Sequence, residues 1–244
     1  MEAWWQGIKD TFILNFINDD RWRNITGGLQ MTVTVTIFAA VIGVLLGMVV
    51  AAVRTTYDKN KESFARGNKL LYSLMTFFNG ICKIYLTIVR GTPVVVQLLI
   101  MFFIIFASST NGAMVAVITF GINSGAYVAE IFRGGIMSID EGQFEAGRSL
   151  GFNYIQTMIF IIMPQVFKNI LPTLLNEFIA LLKETSVVGY VGITDLTRGG
   201  NIIRGVTFSA FMPLIAVAVI YLVMVMILTY IVGIIERRLR RSER

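Results

Sequence analysis

The stretch Leu29-Gln30-Met31-Thr32-Val33-Thr34-Val35-Thr36-Ile37-Phe38-Ala39-Ala40-Val41-Ile42-Gly43-Val44-Leu45-Leu46-Gly47-Met48-Val49-Val50-Ala51-Ala52-Val53 runs for 25 residues without a charge, and Arg54 closes it. As a helix it is about 37 Å long, enough to cross a hydrocarbon layer of roughly 30 Å. The rest of the chain is of the same kind. Of 244 residues 55% are hydrophobic and only 15% charged, with a mean hydropathy of +0.71, well away from soluble composition. The expected fold class is an all-α integral membrane protein with about five transmembrane helices.

Working outward, residues 54–69 hold Arg54, Lys59, Lys61, Arg66 and Lys69 against Asp58 and Glu62, so this loop belongs on the cytoplasmic side. The N-terminus then lies outside. Residues 1–28 suit that side as an extracytoplasmic amphipathic segment: Lys9, Arg21 and Arg23 are outnumbered by Glu2, Asp10, Asp19 and Asp20, while Trp4, Trp5 and Trp22 suit an interfacial belt. The first 18 residues lack the basic start and short apolar core of a cleaved signal, so the first span is expected to direct insertion.

Residues 70–89 are apolar enough to span, but they carry Asn79 and Lys83 and run into Arg90-Gly91-Thr92-Pro93. If both this stretch and 94–107 crossed, residues 140–148 and the Arg-rich end would face out, against the positive-inside rule. The sequence therefore assigns 70–89 to a helix along or entering the inner interface. The second span runs from about 88 to 107, with Arg90 snorkelling and Pro93 in the first turns. A third span, 112–131, returns inside. A fourth lies within 154–188, interrupted by Pro164 and Pro172 and holding Lys168, Glu177, Lys183 and Glu184, and a fifth covers 210–235. Arg237, Arg238, Arg240, Arg241 and Arg244 anchor a cytoplasmic tail, 236–244. The membrane domain is thus 29–235, with a cytoplasmic loop at about 137–153.

The net charge of +6 does not point to nucleic acid, because the basic residues sit between and after the apolar blocks, where anionic lipid accounts for them. Cys82 is the only cysteine and there is no histidine, which argues against an internal disulfide, a metal site or a His proton relay. Gly43 and Gly47 have the four-residue spacing of a close helix contact, although glycine is common in membrane helices without one.

In the loop at 137–153, Glu145-Ala146-Gly147 is followed after three residues by Gly151, and after nine more by Ile161, one residue, Met163 and Pro164. The pattern resembles the EAA loop of ABC importer permeases, Glu-Ala-Ala, then Gly, then Ile-x-Leu-Pro. Gly147 and Met163 depart from it. Further pieces resemble the polar-amino-acid branch of that family in register and order. They are Arg90-Gly91-Thr92-Pro93 with Gln97, the run from Gly125 to Gly135, Gly142-Gln143, Pro164-Gln165, Asn176-Glu177-Phe178, and Lys183-Glu184-Thr185-Ser186, where the family more often has Asp at the place of Glu184.

The resemblance implies a type I ABC importer permease-like fold in the inner membrane of a prokaryote, with its pore between two permease subunits, identical or paralogous. It further implies cassette ATPases on the cytoplasmic side, an extracytoplasmic solute-binding protein and an amino-acid substrate, all in contact with membrane lipid. ATP and Mg would sit on the partner ATPase, with no cofactor or metal on this chain; the sequence has no G-x-x-x-x-G-K-[ST] phosphate loop. The coupling surface would be Glu141, Gln143, Glu145, Ala146, Gly147, Arg148 and Gly151. Ser138 with Glu141, or Asp140 with Gln143, has the spacing of a capping box that would start a short docking helix.

An ionisable group inside a span defaults to a functional reading, so Glu184 is expected to face the pathway and receive an α-ammonium, with Thr185, Ser186 and Asn176 offering hydrogen bonds and Lys183 beside it. The opposing reading puts Lys183 and Glu184 at the outer interface. Glu130 and Arg133, spaced i, i+3, are expected to pair and support the loop, and Arg90 serves as a gate or a lipid anchor. No catalytic constellation is present. An ion-coupled secondary transporter or passive channel is the alternative, but the inverted repeats and acidic or His relays common in secondary transporters are not visible.

Overall fold

In a computed structural model of the chain, residues 1–67 and 69–241 are described. Asn68 and residues 242–244, with Arg244 of the basic tail, lie outside the described residues, as do the side chains of 62–66, 240 and 241. Among the described residues ten α-helices are joined by short π and 3-10 turns, and no strand occurs. They are α1 (Glu2–Phe12), α2 (Trp22–Arg66), α3 (Lys69–Gly91), α4 (Val94–Ile100), α5 (Gly112–Met137), α6 (Glu141–Ser149), α7 (Tyr154–Thr157), α8 (Met163–Glu184), α9 (Leu196–Thr207) and α10 (Phe211–Arg241).

Among the described residues five segments are long and apolar enough to cross a membrane: Trp22–Lys61, Lys69–Gly91, Gly112–Met137, Tyr154–Val191 and Phe211–Leu239. The count matches the sequence, but the second member does not. The expected helix over 88–107 is broken: α3 ends at Gly91, and α4 with its following π turn makes only a short apolar helix, Val94–Ile105. Pro93 explains the break. It lacks an N–H and forces Thr92 toward extended backbone, so a helix arriving at Gly91 stops there and a new one starts just after the proline. Of the residues that counted against 70–89 as a span, Asn79 is buried with its Oδ1 lacking a hydrogen-bond partner, and Lys83 is exposed.

The chain divides into two compact units. Unit 1 comprises residues 1–39, 94–120 and 179–231. Its core joins Ile25, Leu196, Ile203 and Val217, flanked by Phe16, Leu29 and Tyr221. Two glycines let α2 and α9 touch backbone to backbone. A Cβ on Gly28 would stand 2.5 Å from the Asp195 carbonyl oxygen, and one on Gly199 would collide with the Asn24 carbonyl. The Leu196 N–H donates to Thr32 Oγ1 at 3.1 Å across this contact. All of α1 is accessible, and Trp4, Trp5 and Trp22 are exposed.

Unit 2 comprises the described residues of 40–93, 121–178 and 232–241. Here the Gly43/Gly47 spacing is used: a Cβ on Gly47 would lie 2.5 Å from Val128 Cγ1, and one on Gly43 3.0 Å from Ser124 Cβ, so α2 and α5 pack at glycine distance. Ala51, Val128, Phe132, Ile136, Phe144, Ile162, Val166 and Ile170 form one core, reaching from the membrane helices to α6. Val50, Leu86, Val89, Ala126 and Ala129 form a second that seats α3.

Candidate functional site

The loop between α5 and α8 is built by local rules. Asp140 caps α6, its carboxylate accepting from the Gly142 N–H at 2.6 Å. The expected reciprocal box with Gln143 does not form. Gln143 instead meets Gln165 at 3.3 Å, and Ser138 donates to the Gly135 carbonyl. The complete box appears one helix later, between Asn153 and Gln156. At the other end of α6, Gly151 has φ +83°, its N–H donates to the Arg148 carbonyl at 2.9 Å, and the Phe152 N–H donates to Gly147 at 3.1 Å. This is a Schellman close, which needs a left-handed residue where the motif has its glycine.

Gly147, the departure from Glu-Ala-Ala, is buried, and a Cβ there would stand 2.6 Å from Thr157 Cγ2 and 2.7 Å from Thr157 Oγ1. A glycine is the fit at that contact. Phe144 is the other buried residue of α6. Glu141, Gln143, Glu145, Ala146 and Arg148 are exposed, so the helix shows a continuous polar surface. It is held from behind by the far end of α2, where Lys59 pairs with Glu141 and lies 4.6 Å over the Phe144 ring. A cavity of about 380 Å³ lies between them, lined by Lys59, Asn60, Glu141, Phe144, Arg148, Tyr154 and Thr157.

Glu130 and Arg133 pair as their spacing predicts, at 3.2 Å. The structure adds two partners that the sequence reading missed: Arg54 at 2.9 Å and Arg90 at 3.8 Å. Arg90 also lies 5.7 Å over the Tyr127 ring. Only the end of the uncharged run, marked by Arg54, hinted at this long-range partner. Gln97 is half-buried on α4, and Pro164 is exposed in the first turn of α8, where proline costs little.

Along α8 the expected substrate residues separate. Asn176 is exposed, and Glu177, half-buried, accepts from Ser124 Oγ at 3.2 Å. Lys183 is exposed, and Glu184 is half-buried at the helix end. Thr185 is not on the same exposed side as these residues. It is fully buried, donates to the Leu182 carbonyl and lies 3.3 Å from the Thr36 hydroxyl, because its place on the 3-10 turn points it into α2.

Ser186 lines a polar cavity of about 330 Å³ with Gly189, Tyr190, Asp195, Thr197, Arg198 and Asn201. Asp195 caps α9 through the N–H groups of Thr197 and Arg198, at 3.2 and 3.0 Å, and Arg198 donates to the Gly189 carbonyl at 2.7 Å. Burial pushes the Asp195 carboxyl above the usual carboxylate range, against the downward pull of those N–H donors. The Thr-Asp-Leu-Thr-Arg order at 194–198 was the available signal for this cap.

Comparison with known proteins agrees with this geometry. Residues 68–241 match the family described as binding-protein-dependent transport system inner membrane component. The chain is 36% identical over 218 residues to a putative glutamine transport system permease protein of Rickettsia typhi, covering 88% of this chain and 92% of that one. It is 35% identical over 224 residues to the arginine transport system permease protein of Bacillus subtilis, covering 90% and 94%. A crystal structure of an amino acid ABC transporter with histidines superposes with a TM-score of 0.75 at 38% identity, over 88% of this chain and 94% of that one. The protein therefore belongs to the inner membrane components of binding-protein-dependent transport systems.

Proposed function

We propose that the chain is the permease subunit of an ABC importer that passes a polar amino acid across the inner membrane by alternating access. The observation that carries this reading is the family match together with the short α6 helix, whose exposed Glu145 and Arg148 are backed by a buried Phe144 and the Lys59–Glu141 pair. Such a helix offers a rigid polar face to a docking partner. In this reading two cassette ATPases, which hold ATP and Mg, grip the loops around Glu145. Two permease subunits, identical or paralogous, form the pore, and closure of the ATPases turns it toward a loaded extracytoplasmic binding protein. The names of the glutamine and arginine relatives support an amino-acid substrate.

The orientation we propose is N-terminus outside, with 54–69, 137–153 and the C-terminus cytoplasmic, from the basic-residue asymmetry. A cysteine at position 149 in a Cys82→Ser background should react only from the cytoplasmic side; outside-only labelling contradicts it. For the substrate, Glu184 receives the ammonium group, with Ser186 beside it and Asn176 and Lys183 as further polar groups from α8. Affinity purification of the chain tests the assignment as a whole. It should bring down a cassette ATPase in fixed ratio, and a chain that transports without one contradicts the proposal.

A further inference from the structure

One carboxylate, Glu130, serves three guanidinium groups, those of Arg54, Arg90 and Arg133. Lys83 adds a fourth cation on the wall of a cavity of about 450 Å³ lined also by Arg54, Leu86, Thr87, Arg90, Gly91 and Glu130. The group is thus short of negative charge by three, at the end of a 25-residue uncharged run. Cations at the edge of a membrane attract the anionic headgroups of lipids. The Arg54 Nε is buried with no hydrogen-bond partner, so Glu130 does not satisfy every donor of the cluster.

The helix beside the cavity has the right second feature. On α3, Lys83, Thr87 and Arg90 follow i, i+4, i+7 spacing and form one stripe. Phe77, Ile81, Ile84 and Ile88 form the neighbouring stripe, and all four are exposed. An anionic group in the cavity would therefore have an apolar track next to it. We propose that this cavity is a headgroup site for an anionic phospholipid, its phosphate held by Arg54, Lys83 and Arg90 and an acyl chain lying along Ile84, Ile88 and Phe77. The chemistry is phosphate recognition by guanidinium and ammonium donors, and the apolar track selects the lipid over a free anion. The site does not depend on the transport reading.

The test is native mass spectrometry of the full chain, purified with whatever subunits accompany it, titrated with phosphatidylglycerol and with phosphatidylcholine of the same acyl chains. Phosphatidylglycerol should bind preferentially. Lys83→Gln should weaken it roughly fivefold, the equivalent of about 1 kcal/mol for one surface cation, without changing phosphatidylcholine. Lys83→Arg should retain the preference, and Arg237→Gln in the tail should leave it intact. The exposed position of Lys83 lets these variants fold, which a parent-like unfolding midpoint verifies. Three results overturn the proposal: parent-like phosphatidylglycerol binding in a Lys83→Gln/Arg90→Gln double variant; displacement of the lipid by equimolar inorganic phosphate, which makes the site one for a free anion; or ready disulfide formation between copies carrying Thr87→Cys, which makes it a contact between subunits.

Discussion

Replacing Gly147 by alanine sets two effects of known sign against each other. Alanine in a helix interior is favoured over glycine by about 1 kcal/mol. The new methyl, however, would stand 2.6 Å from Thr157 Cγ2, 2.7 Å from its Oγ1 and 3.1 Å from Ile161 Cδ1. Thr157 is itself buried, so it has little room to yield, and overpacking of this kind costs about 1–3 kcal/mol. The net expectation for Gly147→Ala is a loss of about 1 kcal/mol, or roughly 2–4 °C in unfolding midpoint for a chain of this size.

Thr157→Ala should reverse the sign. It removes both clashing atoms together with a buried hydroxyl that has no hydrogen-bond partner, so the double variant keeps the helix gain and sheds the clash. It should unfold at or above the parent temperature. The assay is thermal unfolding of the detergent-purified parent, both singles and the double, read as a double-mutant cycle. Parent-like stability of Gly147→Ala alone, or additivity of the two substitutions, would refute the packing argument and leave the glycine unexplained.

Glu145→Lys should leave membrane insertion intact but cut ATP-dependent uptake to a small residue, because the docking face meets its partner with inverted charge; normal uptake with normal ATPase co-purification sinks this. Glu184→Gln should weaken amino-acid binding about ten- to hundredfold, the loss of a charge-assisted hydrogen bond of roughly 1.5–3 kcal/mol; parent-like binding and uptake would put the site elsewhere on α8. Asp195 titrates in a definite direction. Its folded pKa lies above the ordinary 3.8, so its contribution to stability is full below that value and is lost as pH rises through the folded pKa. Asp195→Asn keeps the α9 cap and should therefore flatten the fall in unfolding midpoint over that interval, whereas Asp195→Ala should cost about 1 kcal/mol through the lost cap; identical pH profiles for the parent and the Asn variant contradict this.

What could be read from the sequence was what the chain encodes locally. The run 29–53 announces a span because no charge interrupts it, and the spacing from Glu145 to Pro164 survives two substitutions because it marks fixed helix and turn positions. Gly151 was visible as a motif letter, but its reason, a left-handed residue closing α6, required the backbone. The helix expected over 88–107 is broken in two at Pro93. Charge asymmetry counted against 70–89 as a span, while Pro93 in fact ends the helix that the count had run through it. Residues paired across long sequence distance were out of reach: Arg54 with Glu130, Lys59 with Glu141 and Thr36 with Thr185 carry no local signature. The last of these buries the Thr185 hydroxyl against α2. A polar residue in a span looks functional until its partner on another helix is known.

The most direct measurement is uptake of labelled polar amino acids into proteoliposomes that hold this chain with its cassette ATPase and binding protein, with ATP supplied or withheld on the ATPase side. An importer permease gives uptake that needs ATP, the binding protein and an intact Glu145, and that persists when ion gradients are collapsed. Uptake without ATP that vanishes with an ionophore, or that only follows the amino-acid gradient downhill, would make the chain an ion-coupled transporter or a channel instead.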